Sequence, residues 1–159
     1  MVQILITMKE KNKAGKNQSD DIKSNSKGLK FTRYFTEDTV SPFDQFAYEK
    51  RSSVIRNPQG DAVFEMHNVE VPGTWSQVAT DILAQKYFRK TGVPQQDGSL
   101  GGEHSIKQVA HRMAECWMEW GKNHGYFETD KDAQVFYDEL VFMIIGQYAA
   151  PNSPQWFNT

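Results

Sequence analysis

Cysteine is nearly absent from these 159 residues: Cys116 stands alone. A lone thiol excludes an internal disulfide and any multi-cysteine zinc cluster, and it suits a reducing compartment. A dominant charge is missing as well. The formal net charge is -2, so bulk electrostatics give no case for direct nucleic-acid binding. Long apolar runs are missing too. The opening MVQILITM is far shorter than the roughly 18 apolar residues of a membrane span, and it has neither a basic leader nor a small-residue cleavage site. No glycine-rich phosphate loop occurs; residues 98–102 hold glycines but no Gly-Lys-Ser/Thr follows. These exclusions leave a cytoplasmic chain of one compact domain plus a tail, with no membrane partner. Its 38% hydrophobic and 13% aromatic residues can build a core.

Residues 9–30 are a polar tract with seven lysines. Such a stretch buries too little apolar surface to offset its ordering entropy, so residues 1–28 read as a disordered lysine-rich tail. An aromatic cluster follows at Phe31, Tyr34 and Phe35, then Pro42, Phe43, Phe46 and Tyr48. This reads as irregular chain held down by aromatic anchors. The β-prone runs 53–56 and 62–66 flank Asn57-Pro58-Gln59-Gly60, whose residue types suit a type I turn and therefore a hairpin. Three helices are expected next. The first starts at Thr74 with Gln77 completing a capping box, and Trp75, Val78, Ala79, Ile82, Leu83 and Tyr87 form its apolar face. A loop reaches Gly102. The second runs from about Ser105 to Trp120 on a stripe from Ile106 to Trp120, with Gly121 as its C-terminal cap. The third is capped by Thr129 and ended by Pro151, with an apolar face broad enough for burial on more than one side. The fold class is mainly α with a small β-hairpin.

Candidate chemistry competes with ordinary packing at each position. His104 and His111 lie seven residues apart, about 10 Å along a helix, so one metal ion cannot bind both. Glu115 adds only one further ligand to His111, which is too few for a stable site. No metal site is expected. Cys116 has no base or cation among its sequence neighbours and reads as a half-buried structural thiol. Trp117 and Trp120 fall on the apolar stripe, which favours core packing over base stacking. The segment 151–159, PNSPQWFNT, is by its residues a helix stop, a polar turn and an aromatic pair. Ser153, between Asn152 and Pro154, has a hydroxyl free to bond outward.

That segment resembles the entry into the ten-stranded α/β barrel of adenosylcobalamin-dependent (class II) ribonucleotide reductases. Three further stretches resemble the same family in the same order. They are GLKFTRYFT with PFD and YEKRSSVI, then VEVPGTWSQVATDILAQKYFR, then VAHRMAECWMEWGKNHGYFETDKDAQVFYDEL. The resemblance implies a family N-terminal domain over 29–150 and the start of the catalytic barrel at 151–159, with the barrel itself absent.

It also implies an activity for the full-length protein, a ribonucleoside-diphosphate reductase making deoxyribonucleotides for DNA synthesis by thiyl-radical chemistry. One residue role carries over. Ser153 corresponds to the family's substrate contact near the nucleotide phosphates, with Asn152 and Pro154 shaping the turn and Trp156 and Phe157 beginning the barrel's packing. No catalytic residue is implied here, Cys116 included. Adenosylcobalamin would be bound by the missing part. The implied partners are the ribonucleotide, the remaining barrel in cis or as a split chain, and a second copy in a homodimer. An ending at Thr159 is expected from truncation, a split gene or an intein break, and the isolated piece is expected to be inactive. In that setting the third helix's face and the aromatics at 31–48 and 156–157 would lack partners. The alternative is a stand-alone helical interaction module; barrel sequence downstream in the flanking DNA would decide between them.

Overall fold

The computed structural model describes residues 28–95 and 97–159. The lysine-rich tail therefore lies outside the described residues, apart from Gly28. Two antiparallel strand pairs and four α-helices follow an irregular N-terminal segment, and no barrel is present among the described residues.

Strands β1 (Tyr48–Arg56) and β2 (Ala62–Pro72) make the hairpin, longer than the β-prone runs alone indicated. Gly60 donates its N–H to the Asn57 carbonyl at 2.9 Å, and the Asn57 side chain accepts from the Asp61 N–H at 2.9 Å. Gly60 has φ +94°, a conformation open to glycine at little steric cost. The ladder slips between Arg51 and Ser53, opposite Asn68 at φ 58°. This bulge changes the inward parity of β2 from Phe64 and Met66 to the fully buried Val69 and Val71. A second, two-residue ladder, β3 (Val93–Pro94) with β4 (Leu100–Gly101), lies inside the expected loop.

The first helix corrects the expectation from Thr74. Helix α1 is Gln77–Ile82, and Ser76 caps it by accepting from the Ala79 N–H at 3.1 Å. Residues 73–75 are held back by the sheet. Gly73 donates to the Ala47 carbonyl, Trp75 donates to the Pro72 carbonyl, and Arg51 holds the carbonyls of Gly73 and Trp75. Gln77 instead bonds Ser52 and Asp81. A π-helical turn, Leu83–Tyr87, then follows directly, with Phe88 donating to the Leu83 carbonyl at 3.0 Å. The later start and the wider turn rotate the inward face. Val78 and Ile82, expected inside, are exposed, while Thr80, Leu83, Ala84 and Phe88 are buried.

Helix α2 (Ile106–Asn123) begins with a complete capping box from Ser105 and Gln108. Ile106, Val109, Ala110, Met113 and Ala114 are fully buried. Two expectations fail at its far end. Trp120 is 53% exposed, because the stripe has passed the end of the core. Gly121 is not a cap but a buried helical residue; a Cβ there would stand 2.4 Å from the Phe127 ring. Helix α3 (Asp130–Ile145) is capped by Thr129 as expected, and it ends at Gly146, well before Pro151. Its apolar face is covered from within. Helix α2 packs along it, and Phe31, Phe35 and Phe46 reach its Phe136 and Phe142 rings at 4.9–5.4 Å. The missing-partner expectation for α3 and for these anchors is thereby corrected, although Tyr34 remains exposed.

Glu139 on α3 fixes the anchor segment. It accepts from the main-chain N–H groups of Tyr34, Phe35 and Thr36 and from the Thr36 hydroxyl. Burial pushes its carboxyl up, but these hydrogen bonds outweigh burial and leave it below the ordinary value of 4.5. A depressed folded value gives stability above about pH 4.5 that is lost as pH falls through the folded value. Glu139→Gln should therefore melt lower than the parent near neutrality. The gap should narrow as pH falls below about 4.5, read by thermal denaturation at each pH.

Candidate functional site

The segment read as a polar turn is helix α4 (Ser153–Asn158) in the structure. Pro154 in its first turn favours this, since its fixed φ suits a helix start and its missing N–H would be unpaired there anyway. Trp156 then folds back, with its indole N–H donating to the Pro151 carbonyl at 2.8 Å.

Ser153 is exposed, and its hydroxyl lies 3.0 Å from the Tyr87 hydroxyl. The π-helical turn supplies Tyr87. Its ring stacks on Trp156 at 4.9 Å and meets Phe157 at 5.4 Å. Tyr87 and Trp156 also wall an apolar groove of about 200 Å³ with Trp75, Ala79, Ile82, Leu83 and Gln147. Trp156 and Phe157, expected to await a missing surface, thus already have a partner, although Phe157 stays half exposed. Asn152 makes no side-chain cap bond, but its carbonyl accepts from the Gln155 N–H at 2.9 Å.

Beneath α4 lies a buried charge cluster. Glu103 is 2% exposed and accepts from Arg112 Nε at 2.7 Å and from the Arg89 N–H at 2.8 Å. Arg112 continues to the carbonyls of Trp156 at 2.9 Å and Tyr87 at 3.1 Å and to the Thr159 main-chain oxygen at 3.0 Å. Reading the residues alone missed Glu103, Arg112 and Tyr87. The available signal was a cation on the flank of an apolar helical face, nine positions after an acid beside two glycines.

The other candidates lie elsewhere. His111 places one ring nitrogen 2.8 Å from the Tyr137 hydroxyl and the other 3.3 Å from Glu115. Burial pushes the Tyr137 phenol up to about 12. His104 is exposed in an open cleft of about 680 Å³ that includes Lys50, Glu70, Asp97 and Lys107. Cys116 is half-buried. Among the described residues no three His, Cys, Asp or Glu side chains are grouped to hold a metal ion, and no helix is long and apolar enough to cross a membrane.

Chemically, the Ser153–Tyr87 pair can hydrogen-bond an oxygen-rich ligand. No carboxylate or imidazole is bonded to Ser153 among the described residues, so the hydroxyl lacks the base a nucleophile needs.

Comparison with known proteins covers most of the chain. Residues 49–147 match the family described as class II vitamin B12-dependent ribonucleotide reductase. A vitamin B12-dependent ribonucleotide reductase of Bradyrhizobium diazoefficiens is 43% identical over 160 residues, covering 82% of this chain and 13% of that protein. Proteins of the same name from Agrobacterium fabrum and Rhodopirellula baltica are 38% and 39% identical, each covering 82% of this chain and 12% of the relative. The chain thus spans about an eighth of the length of these relatives and matches their N-terminal part. Four motifs in order, the family match and these identities agree: the chain belongs to the class II vitamin B12-dependent ribonucleotide reductase family.

Proposed function

We propose that this chain is the N-terminal scaffold of an adenosylcobalamin-dependent ribonucleoside-diphosphate reductase and that it contributes one substrate contact, the Ser153 hydroxyl. The partners in this reading are a ribonucleotide and the remaining reductase barrel, in cis or as a split chain, with α4 leading into that barrel. A second copy would complete a homodimer, and the cytoplasm is the compartment. The observation that carries the reading is the placement of Ser153. Its hydroxyl is exposed and oriented by Tyr87 at 3.0 Å, next to aromatic rings that fix the turn.

The residues described do not fit a corrin. The cleft of about 680 Å³ is open and its walls are charged, with Lys50, Glu70, Asp97 and Lys107, and the apolar groove holds only about 200 Å³. The radical chemistry belongs to cobalamin held by the rest of the enzyme, and this chain's part is to orient substrate.

A thiol placed at the contact tests the reading. Ser153→Cys, in the complete reductase, should be alkylated readily when substrate is absent. A ribonucleotide at about ten times its dissociation constant should slow labelling of that peptide about tenfold, as expected for a site about 90% filled. Peptide mapping separates this thiol from Cys116, which serves as the internal control. Equal labelling with and without ribonucleotide would remove Ser153 from the substrate site.

A further inference from the structure

We infer that Arg112 is the positioning residue of this site: its guanidinium, held by buried Glu103, ties the last turn of α4 to the end of the π-helical turn and so sets the direction of the Ser153 hydroxyl. The inference rests on the reading of Ser153 as a substrate contact.

Helix α4 has six residues and no side-chain N-cap bond. A helix this short is not stable by itself, so its placement must come from tertiary contacts. Two kinds of contact supply it. One is the stack of Trp156 on Tyr87. The other is Arg112, which reaches the Trp156 and Thr159 main-chain oxygens on one side and the Tyr87 carbonyl on the other. The rings that stack therefore belong to residues whose carbonyls share one cation. Tyr87 and Ser153 meet through their hydroxyls, so Arg112 fixes both ends of that bond. Arg89 adds a second donor to Thr159 at 2.7 Å.

The planarity of the guanidinium matters. Arg112 bonds a carboxylate and three main-chain oxygens at once, and its side chain is only 11% exposed. A lysine ammonium keeps the charge but is a compact point donor without the rigid fork. Arg112→Lys is therefore a sensitive variant that preserves the pairing with Glu103.

Two readouts are needed. In the 159-residue chain, the Trp156 indole N–H signal in NMR reports on α4, and its loss in Trp156→Phe assigns it. Arg112→Lys should shift and broaden that signal while leaving the buried Trp75 signal in place. In the complete reductase, Arg112→Lys should raise KM for ribonucleotide about tenfold and leave kcat within about twofold. The double variant with Ser153→Ala should be no worse in KM than Ser153→Ala alone, because both changes remove one interaction. An unmoved Trp156 signal in folded Arg112→Lys would overturn the tie to α4. Additive KM losses would overturn action through Ser153. A moved Trp156 signal with normal KM in Ser153→Ala would instead overturn the substrate reading and reduce Arg112 to an architectural role. Should Arg112→Lys fail to fold, Arg89→Gln removes only the outer donor to Thr159, and the same signals decide at smaller amplitude.

Discussion

Glu103→Ala is expected to destabilise the chain by about 3 kcal/mol, the lower end of the range for breaking a buried ion pair. The loss arises from what is left behind. Arg112 would keep its carbonyl partners but lose the carboxylate that neutralises it, while its side chain remains mostly buried. The Arg89 N–H would also lose its acceptor. Removing both charges should be gentler than removing one, so Glu103→Ala with Arg112→Met should recover part of the loss. Urea unfolding of the parent and the two variants reads this directly. Equal stability of Glu103→Ala and the parent would mean that the cluster contributes little.

Trp75→Ala should cost about 3–5 kcal/mol, as large-to-small changes at buried aromatics do. The indole is 7% exposed, and its N–H donates to the Ile145 carbonyl at 2.8 Å. That carbonyl lies in the last turn of α3, where a helix supplies no partner of its own. Alanine therefore opens a cavity and strands an acceptor beside it. Trp75→Phe retains most of the apolar area but not the donor, and should cost about 1–3 kcal/mol. Chemical denaturation should rank the parent above Phe and Phe above Ala. A Phe variant as unstable as Ala would assign the effect to the hydrogen bond alone.

Local signals made much of the fold legible. The Asn57–Gly60 turn, the Ser105 and Thr129 boundaries and the α2 stripe through Ala114 all depend on neighbours within four residues, and they appear as read. The misses arose where distant contacts override local preference. Thr74 resembles a cap, yet the Trp75 indole and Arg51 hold that stretch in a turn until Ser76. The π-helical turn breaks the regular period on which the inward face of α1 was read. Gly121 sits where a helix end was expected, but its small size answers Phe127, a residue beyond the helix. The same distinction holds at the site. Ser153 is proposed from a contiguous motif, whereas Tyr87, Glu103 and Arg112 come from separated positions and converge only on folding. Composition carries no trace of a cluster assembled from 9- to 70-residue separations.

Family membership gives the chain its context, and the role proposed for its terminal turn is to offer one hydroxyl, that of Ser153, to a nucleotide. The Michaelis constant for ribonucleotide in the complete reductase, compared between the parent and Ser153→Ala, tests that role most directly. Loss of one hydrogen bond to a charged group, worth about 1.5–3 kcal/mol, predicts a rise of roughly tenfold to a hundredfold with the fold intact. An unchanged Michaelis constant and rate in a correctly folded variant would contradict it.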